Sequence, residues 1–208
     1  FPWSFGIVDP YTQLTDHTTK VNLLESCKKE FNKTTYGHDR AKHTLLKLVA
    51  KWLSNPDSTG TSIGLSGPPG VGKTQLAQSI SDALQIPFVQ INLGGQNDGD
   101  LLHGHGYTYS GSTPGAIVTK MVKANSPRCI IYFDELDKTS NKSGSNTNEI
   151  MNILIHLTDP NSNATFQDRF FQGIDFPLDK VLFLFSYNDP GLIDPILRDR
   201  ILEVAIKS

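Results

Sequence analysis

Apolar positions fall into two alternating rhythms along this chain. From Lys20 onward, Leu24, Cys27 and Phe31 recur every three to four residues, the spacing of one face of a short amphipathic helix, and Tyr36-Gly37 breaks it. A second helix carries Leu45, Leu48, Val49 and Trp52 on one side. Ser54-Asn55-Pro56-Asp57-Ser58-Thr59-Gly60 is a loop by composition. Beyond it, short runs that are apolar throughout alternate with helical patterns. Ser62–Ser66, Phe88–Asn92, Cys129–Phe133, Val181–Phe185 and Ile201–Ile206 read as strands. Between them, helix faces are formed by Leu76, Ala77, Ile80, Ala83 and Leu84, by Ile117, Val118, Met121 and Val122, and by Ile150, Ile153, Leu154 and Leu157. Strands apolar on both sides and separated by helices predict a parallel five-stranded sheet covered on both faces, a three-layer α/β/α domain. Residues 1–19 read as a connecting segment and Ser140–Asn148 as a polar loop.

Composition narrows the picture. The 208 residues are 38% hydrophobic with 17 glycines, which is ordinary for a globular domain and argues against disorder. Lys and Arg number 19 against 21 Asp and Glu, a net charge of −2, so no overall basic field draws the chain to nucleic acid or to an anionic membrane. No apolar run approaches the length of about 18 residues that a membrane span needs. Cys27 and Cys129 lie far apart without ligand spacing, which points to a reducing, intracellular compartment such as the cytoplasm or the mitochondrial matrix. The chain opens at Phe1 without a Met, so the natural N-terminus is expected to lie further upstream.

Gly67-Pro68-Pro69-Gly70-Val71-Gly72-Lys73-Thr74 fits the pattern GxxxxGK[ST], preceded by a strand and followed by Gln75 and an amphipathic helix. Glycines let main-chain N–H groups turn inward around phosphate oxygens. Lys73 places a point charge on the β- and γ-phosphates, and Thr74 offers a hydroxyl to Mg²⁺. The strand Cys129–Phe133 ends in Asp134-Glu135, at the edge of a parallel sheet where functional groups collect. Asp134 there would hold Mg²⁺, and Glu135 would orient and deprotonate the attacking water. Val181–Phe185 likewise ends in Ser186-Tyr187-Asn188. Asn188 there either positions the same water or, with Asp189-Pro190-Gly191, makes an ordinary turn. Phosphoryl transfer also calls for a cation from a neighbour. Of Arg40, Arg128, Arg169, Arg198 and Arg200, the pair Arg198 and Arg200 just before the last strand is the candidate. His103 and His105, two apart beside glycines, have no further ligand at metal spacing, so no metal is assigned to them.

In this order, GPPGVGKT, YFDELDK, TDPNSNATFQD and VLFLFSYN…DPILRDRI resemble the ATPase module of Lon-type proteases, within the AAA+ class. Tyr36-Gly37-His38, Ile91-Asn92-Leu93-Gly94-Gly95, the run Gly104–Gly115 and the opening Phe1-Pro2-Trp3 are also similar. The resemblance implies a P-loop fold with the ATPase core at 35–208 and a linker and helix at 1–34, and a lid and a peptidase domain absent from these residues. It implies ATP and Mg²⁺ as cofactors, Lys73 and Thr74 on nucleotide and metal, Asp134 on Mg²⁺, and Glu135 on water. It further implies Asn188 as first sensor, Arg200 as an arginine finger acting on the neighbouring subunit, and Tyr36 and Gly37 beside the adenine. Tyr109 matches the pore-loop aromatic that grips unfolded protein in a homo-oligomeric, hexameric ring, although Ser110 is polar where the family has an apolar residue. Two alternatives stay open: a nucleic-acid motor, loader or chaperone on the same core without protease activity, and a nucleotide-gated module that does not hydrolyse. Intact Lys73, Asp134, Glu135 and Asn188 speak against the second, and the charge balance against a nucleic-acid partner.

Overall fold

The computed structural model describes residues 16–34, 37–55, 62–96, 98–106, 108, 110–139 and 149–206. The chain enters through helices α1 (His17–Thr34) and α2 (Asp39–Ser54) and then alternates strands and helices: β1 (Ser62–Ser66), α3 (Lys73–Leu84), β2 (Phe88–Asn92), α4 (Asp100–His103), α5 (Ala116–Ala124), β3 (Ile130–Asp134) and α6 (Glu149–Thr158). A small hairpin of β4 (Phe166–Gln167) and β5 (Asp175–Phe176) precedes β6 (Leu182–Tyr187), α7 (Pro195–Arg200) and β7 (Leu202–Ala205). The main sheet has five strands in the order β2-β3-β6-β1-β7, and its neighbours run parallel.

Each strand divides its side chains between two cores, as the pleat requires. Ile131, Phe133, Phe183 and Phe185 pack against α5, α6 and α7, while Ile130, Tyr132, Leu182 and Leu184 pack against α1, α2 and α3. The Phe133 ring stacks on Phe185 with centroids 5.2 Å apart. Because both faces are covered, β1 and β6 are buried along their whole length, which explains why their interiors do not alternate between apolar and charged residues. Gly64 in the middle of β1 has a packing reason, since a Cβ there would lie 2.5 Å from the Tyr187 hydroxyl and 2.7 Å from Ile201 Cγ2.

Three expectations need correction. The first helix begins at His17, within the stretch read as a connecting segment, where Asp16 Oδ2 accepts the Thr19 N–H at 2.9 Å and caps it. Val122, placed on the buried face of its helix, is 42% exposed. α5 packs against β2 at the edge of the sheet, so the outer rim of its apolar arc has no layer above it. Finally, the β4–β5 hairpin falls in a stretch where no strand was expected. Its strands are two residues long, too short to show a period.

Among the described residues no helix is long and apolar enough to cross a membrane. Arg128, at the amino end of β3, is buried with its guanidinium 5.6 Å from the centre of the Trp52 ring.

Candidate active site

β1, β3 and β6 are adjacent and parallel, so their carboxyl ends open on one edge of the sheet. There the loop after β1, the turn after β3 and the end of β6 enclose a cleft of about 380 Å³, within the roughly 300–1,000 Å³ of ligand sites. Gly70 and Gly72 adopt φ of 80° and 84°, the left-handed backbone that glycine enters without strain, and Gly72 caps α3. The first turn of any helix leaves N–H groups without partners in the helix, and Lys73 and Thr74 open this one. Gly67 sits where a side chain would run into the Ile206 carbonyl of the segment after β7.

The structure brings most of the residues expected from the sequence to this cleft. Gly70, Lys73, Thr74, Asp134, Glu135 and Asn188 are among those that line it, with Pro69, Val71, Gly72 and Gln75 completing the loop side. The Lys73 ammonium donates to the carbonyls of Gly67 at 2.6 Å and Pro68 at 3.0 Å and to Asn188 Oδ1 at 2.8 Å. Burial holds this ammonium below the usual lysine value, and the carboxylates of Asp137 and Asp134 pull it back up. Asn188, for which a turn was the rival reading, therefore touches the phosphate-loop lysine.

Asp134 is fixed from several sides. Its Oδ1 accepts from the Ser186 hydroxyl, from the Glu135 N–H at 3.1 Å and from the Tyr132 hydroxyl at 3.4 Å, and its Oδ2 accepts from Gln90 Nε2 at 3.2 Å. The Tyr132 hydroxyl also lies 3.2 Å from Thr74 Oγ1, so one phenol bridges the two residues expected to hold the metal. Burial raises the Tyr132 phenol above its usual value, keeping it a neutral donor. A hydroxyl and a carboxylate oxygen converging beside a phosphate loop are the hard oxygen ligands that Mg²⁺ takes, so these residues fit that ion.

Glu135 occupies left-handed backbone at φ 59° and ψ 45°, unusual for a residue with a side chain and typical of sites held by their surroundings. The loops on either side hold it. Leu93 N–H donates to the Asp134 carbonyl at 3.0 Å, Gly95 N–H to the Lys138 carbonyl at 3.1 Å, and the Glu135 N–H also reaches Ser186 Oγ at 3.2 Å. The Glu135 carboxylate pairs with the Lys138 ammonium and lies over Gly94, where a Cβ would overlap Oε2.

The other expected residues lie elsewhere. Gly37 is exposed ahead of α2, with φ 71°, and does not line the cleft. Tyr36 and Tyr109 fall outside the described residues. Arg200 closes α7, a helix started by Pro195 and capped by Asp194, which accepts from Ile196 N–H at 2.8 Å. Its guanidinium donates to the Ile155 carbonyl at 2.5 Å and pairs with Asp159 at 3.6 Å, away from the cleft. The segment that carries Tyr109 is tied at its base. Asp168, 1% exposed, accepts the N–H groups of Gly115 and Phe170, each at 2.8 Å, and His105 N–H donates to the Thr113 carbonyl at 3.1 Å. His105 also faces Asp100 at 3.4 Å, and the His103 ring lies 5.3 Å from Phe166, where burial lowers its pKa.

Sequence reasoning passed over Gln90, Gly94, Tyr132, Ser186 and Asp137 as parts of the site. Signals existed for Asp137, in Asp134-Glu135-Leu136-Asp137-Lys138, for Gly94, in the family-like Gly94-Gly95, and for Ser186, at the polar end of its strand.

The AAA family of ATPases, described as associated with various cellular activities, matches residues 63–207. A Lon protease homolog of Acanthamoeba polyphaga mimivirus is 50% identical over 99% of this chain, and a Lon protease of Malacoplasma penetrans is 36% identical over 96%. A peroxisomal Lon protease homolog of Oryza sativa subsp. indica is 35% identical over 85%. The chain spans 20%, 25% and 20% of those relatives' lengths. With the phosphate loop, the acidic strand end and the parallel five-stranded sheet in place, the chain belongs to the AAA family of ATPases, as an ATPase module of the Lon type.

Proposed function

We propose that this chain binds ATP with Mg²⁺ and hydrolyses it as the motor core of a Lon-like ATP-dependent protease, in a homo-oligomeric, hexameric ring that unfolds and translocates protein substrates. The observation that carries the reading is the convergence of Lys73, Asn188, Asp134 and Glu135 on one cleft at the carboxyl edge of β1, β3 and β6. On this reading residues 35–208 are the ATPase core, residues 1–34 lead into it, and peptide cleavage belongs to parts of the protein outside these residues. Two buried, free thiols suit a reducing compartment such as the cytoplasm or the mitochondrial matrix.

The cleft geometry and the family resemblance together support the following division of labour. N–H groups of Gly70 to Thr74 cradle the phosphate oxygens, and Lys73 exchanges its carbonyl partners for them. Thr74 and Asp134 would hold a Mg²⁺ ion, which would supply positive charge to the phosphate oxygens. Ser186, Tyr132 and Gln90 keep the Asp134 carboxylate aimed. Glu135 takes the proton of the attacking water, and Asn188 keeps Lys73 and that water in register. The resemblance, rather than the cleft, supports Arg200 reaching the γ-phosphate of the neighbouring subunit from its place on the carboxyl end of α6, and Tyr36 and Gly37 lying beside the adenine. Tyr109 grips the substrate from a segment whose base Asp168 fixes.

Steady-state ATP hydrolysis, measured with an unfolded protein or with DNA added, tests this. Stimulation by unfolded protein is expected. Stimulation by DNA alone would favour a nucleic-acid motor, and nucleotide binding without turnover would mean a gated module.

A further inference from the structure

One carboxylate in the cleft has no part in the roles above. Asp137 sits in the 3₁₀ turn Leu136–Lys138 that follows β3, yet its bonds cross to another strand. Its Oδ2 accepts the main-chain N–H of Asn188 at 2.9 Å and of Asp189 at 3.2 Å, so one oxygen holds both peptide groups at the end of β6. Its Oδ1 is buried and, among the described residues, without a hydrogen-bond partner. A buried carboxylate oxygen left unpaired is costly. Closing the turn does not by itself require a charged side chain at this point, so the buried carboxylate calls for an explanation.

The explanation lies one residue away. The peptide that Asp137 grips belongs to Asn188, whose side chain meets Lys73 Nζ at 2.8 Å. Asn188 follows β6, so its χ angles are aimed from a backbone that no sheet bond fixes beyond Tyr187, and the Asp137 staple supplies the missing constraint. Asp137 also stands beside the lysine, where its charge opposes the burial of the ammonium more strongly than that of Asp134 does. The turn after β3, which presents Glu135, and the end of β6, which presents Asn188, are thereby locked to each other through this carboxylate.

We propose that Asp137 is a positioning residue for ATP hydrolysis, fixing the Asn188 backbone so that the amide oxygen stays on Lys73 and in register with Glu135. This rests on the reading of Asn188 given above. It acts through Asn188, so its removal should slow turnover by misplacing that side chain and should leave nucleotide affinity nearly intact.

A double-mutant cycle on the assembled protein tests it, reading kcat and KM for ATP hydrolysis together with the Kd of a fluorescent ADP analogue. Asp137→Ala should lower kcat about 10- to 100-fold, the range for a displaced catalytic group, and should leave KM and Kd within about threefold. Asn188→Ala should do the same, and the double variant should be no slower than Asn188→Ala alone. Losses that multiply in the double variant would overturn the proposal, as would Asp137→Ala turning over at the wild-type rate. Loss of ADP binding with turnover would overturn it too, since it would make Asp137 part of the binding site or the fold. The two readings fail differently: a slow Asn188→Ala beside a normal Asp137→Ala removes Asp137 alone, whereas a fully active Asn188→Ala removes both.

Discussion

Gly94 offers a way to move the catalytic carboxylate without touching it. A methyl group built there overlaps Glu135 Oε2 and stands 3.1 Å from both Glu135 Cδ and Asn92 Oδ1. The backbone itself raises no objection, because Gly94 is not among the glycines with positive φ. Nor should the fold suffer, since the obstacle is the far end of a side chain that is one-third exposed and can swing toward solvent. The overlap forces the carboxylate aside by about 1 Å, a displacement that costs on the order of 100-fold where geometry controls the reaction. The whole contribution of a general base, about 10²- to 10⁴-fold, sets the ceiling. Gly94→Ala should therefore lower kcat about 100-fold with KM within about threefold. Its melting temperature should stay level or rise by a few degrees, as Gly→Ala at a compatible site gains about 0.4–1 kcal/mol. Steady-state kinetics and thermal unfolding read both effects. Turnover within twofold of the wild type would refute the placement of Glu135 as base, and a large drop in melting temperature would refute the claim that only the carboxylate moves.

Four further expectations concern other parts of the molecule. Burial pushes the Cys129 thiol up to about 12 and the Cys27 thiol up to about 11, so neither should react with a water-soluble aromatic disulfide at pH 8 until the chain is unfolded. The unfolded thiols ionise near 9, below their folded values, so the protons favour the folded state and stability should fall as pH rises from about 9 toward 11. Thermal melts across that range check the sign. Asp168→Ala frees the N–H groups of Gly115 and Phe170 at the base of the segment carrying Tyr109; basal hydrolysis should persist while stimulation by unfolded protein falls several-fold, and intact stimulation would count against the clamp. Arg200→Ala should be inactive, but mixing it with a Glu135 variant should restore turnover at sites that combine a wild-type Glu135 with a neighbour's Arg200. A mixture with no gain would show that Arg200 does not act in trans.

The sheet was legible because β1 and β6 are buried on both faces and therefore carry adjacent apolar residues in their interiors, Ile63 to Leu65 and Leu182 to Phe185, rather than an alternating pattern. The phosphate loop and Asp134-Glu135 were legible because each is a run of adjacent residues whose chemistry is local. What escaped depends on contacts between distant parts of the chain. Asp137 matters through N–H groups 51 and 52 residues away, and Gly94 through a carboxylate on the neighbouring strand's turn. Tyr132 looked like one more core aromatic in an apolar strand, and its hydroxyl gained a role only when α3 brought Thr74 beside it. Val122 misled for the converse reason, since a helix face records apolar character but not whether a layer lies above it.

The most direct measurement is the fate of ATP on Glu135→Gln. The substitution keeps the shape of the side chain and removes the base, leaving Lys73, Thr74 and Asp134 in place. After incubation with radiolabelled ATP and Mg²⁺ and rapid removal of free nucleotide, the variant is expected to retain intact ATP with affinity near that of the wild type. The wild-type protein should instead carry ADP. ADP formed by the variant at the wild-type rate would contradict the assignment of Glu135 as the residue that activates water.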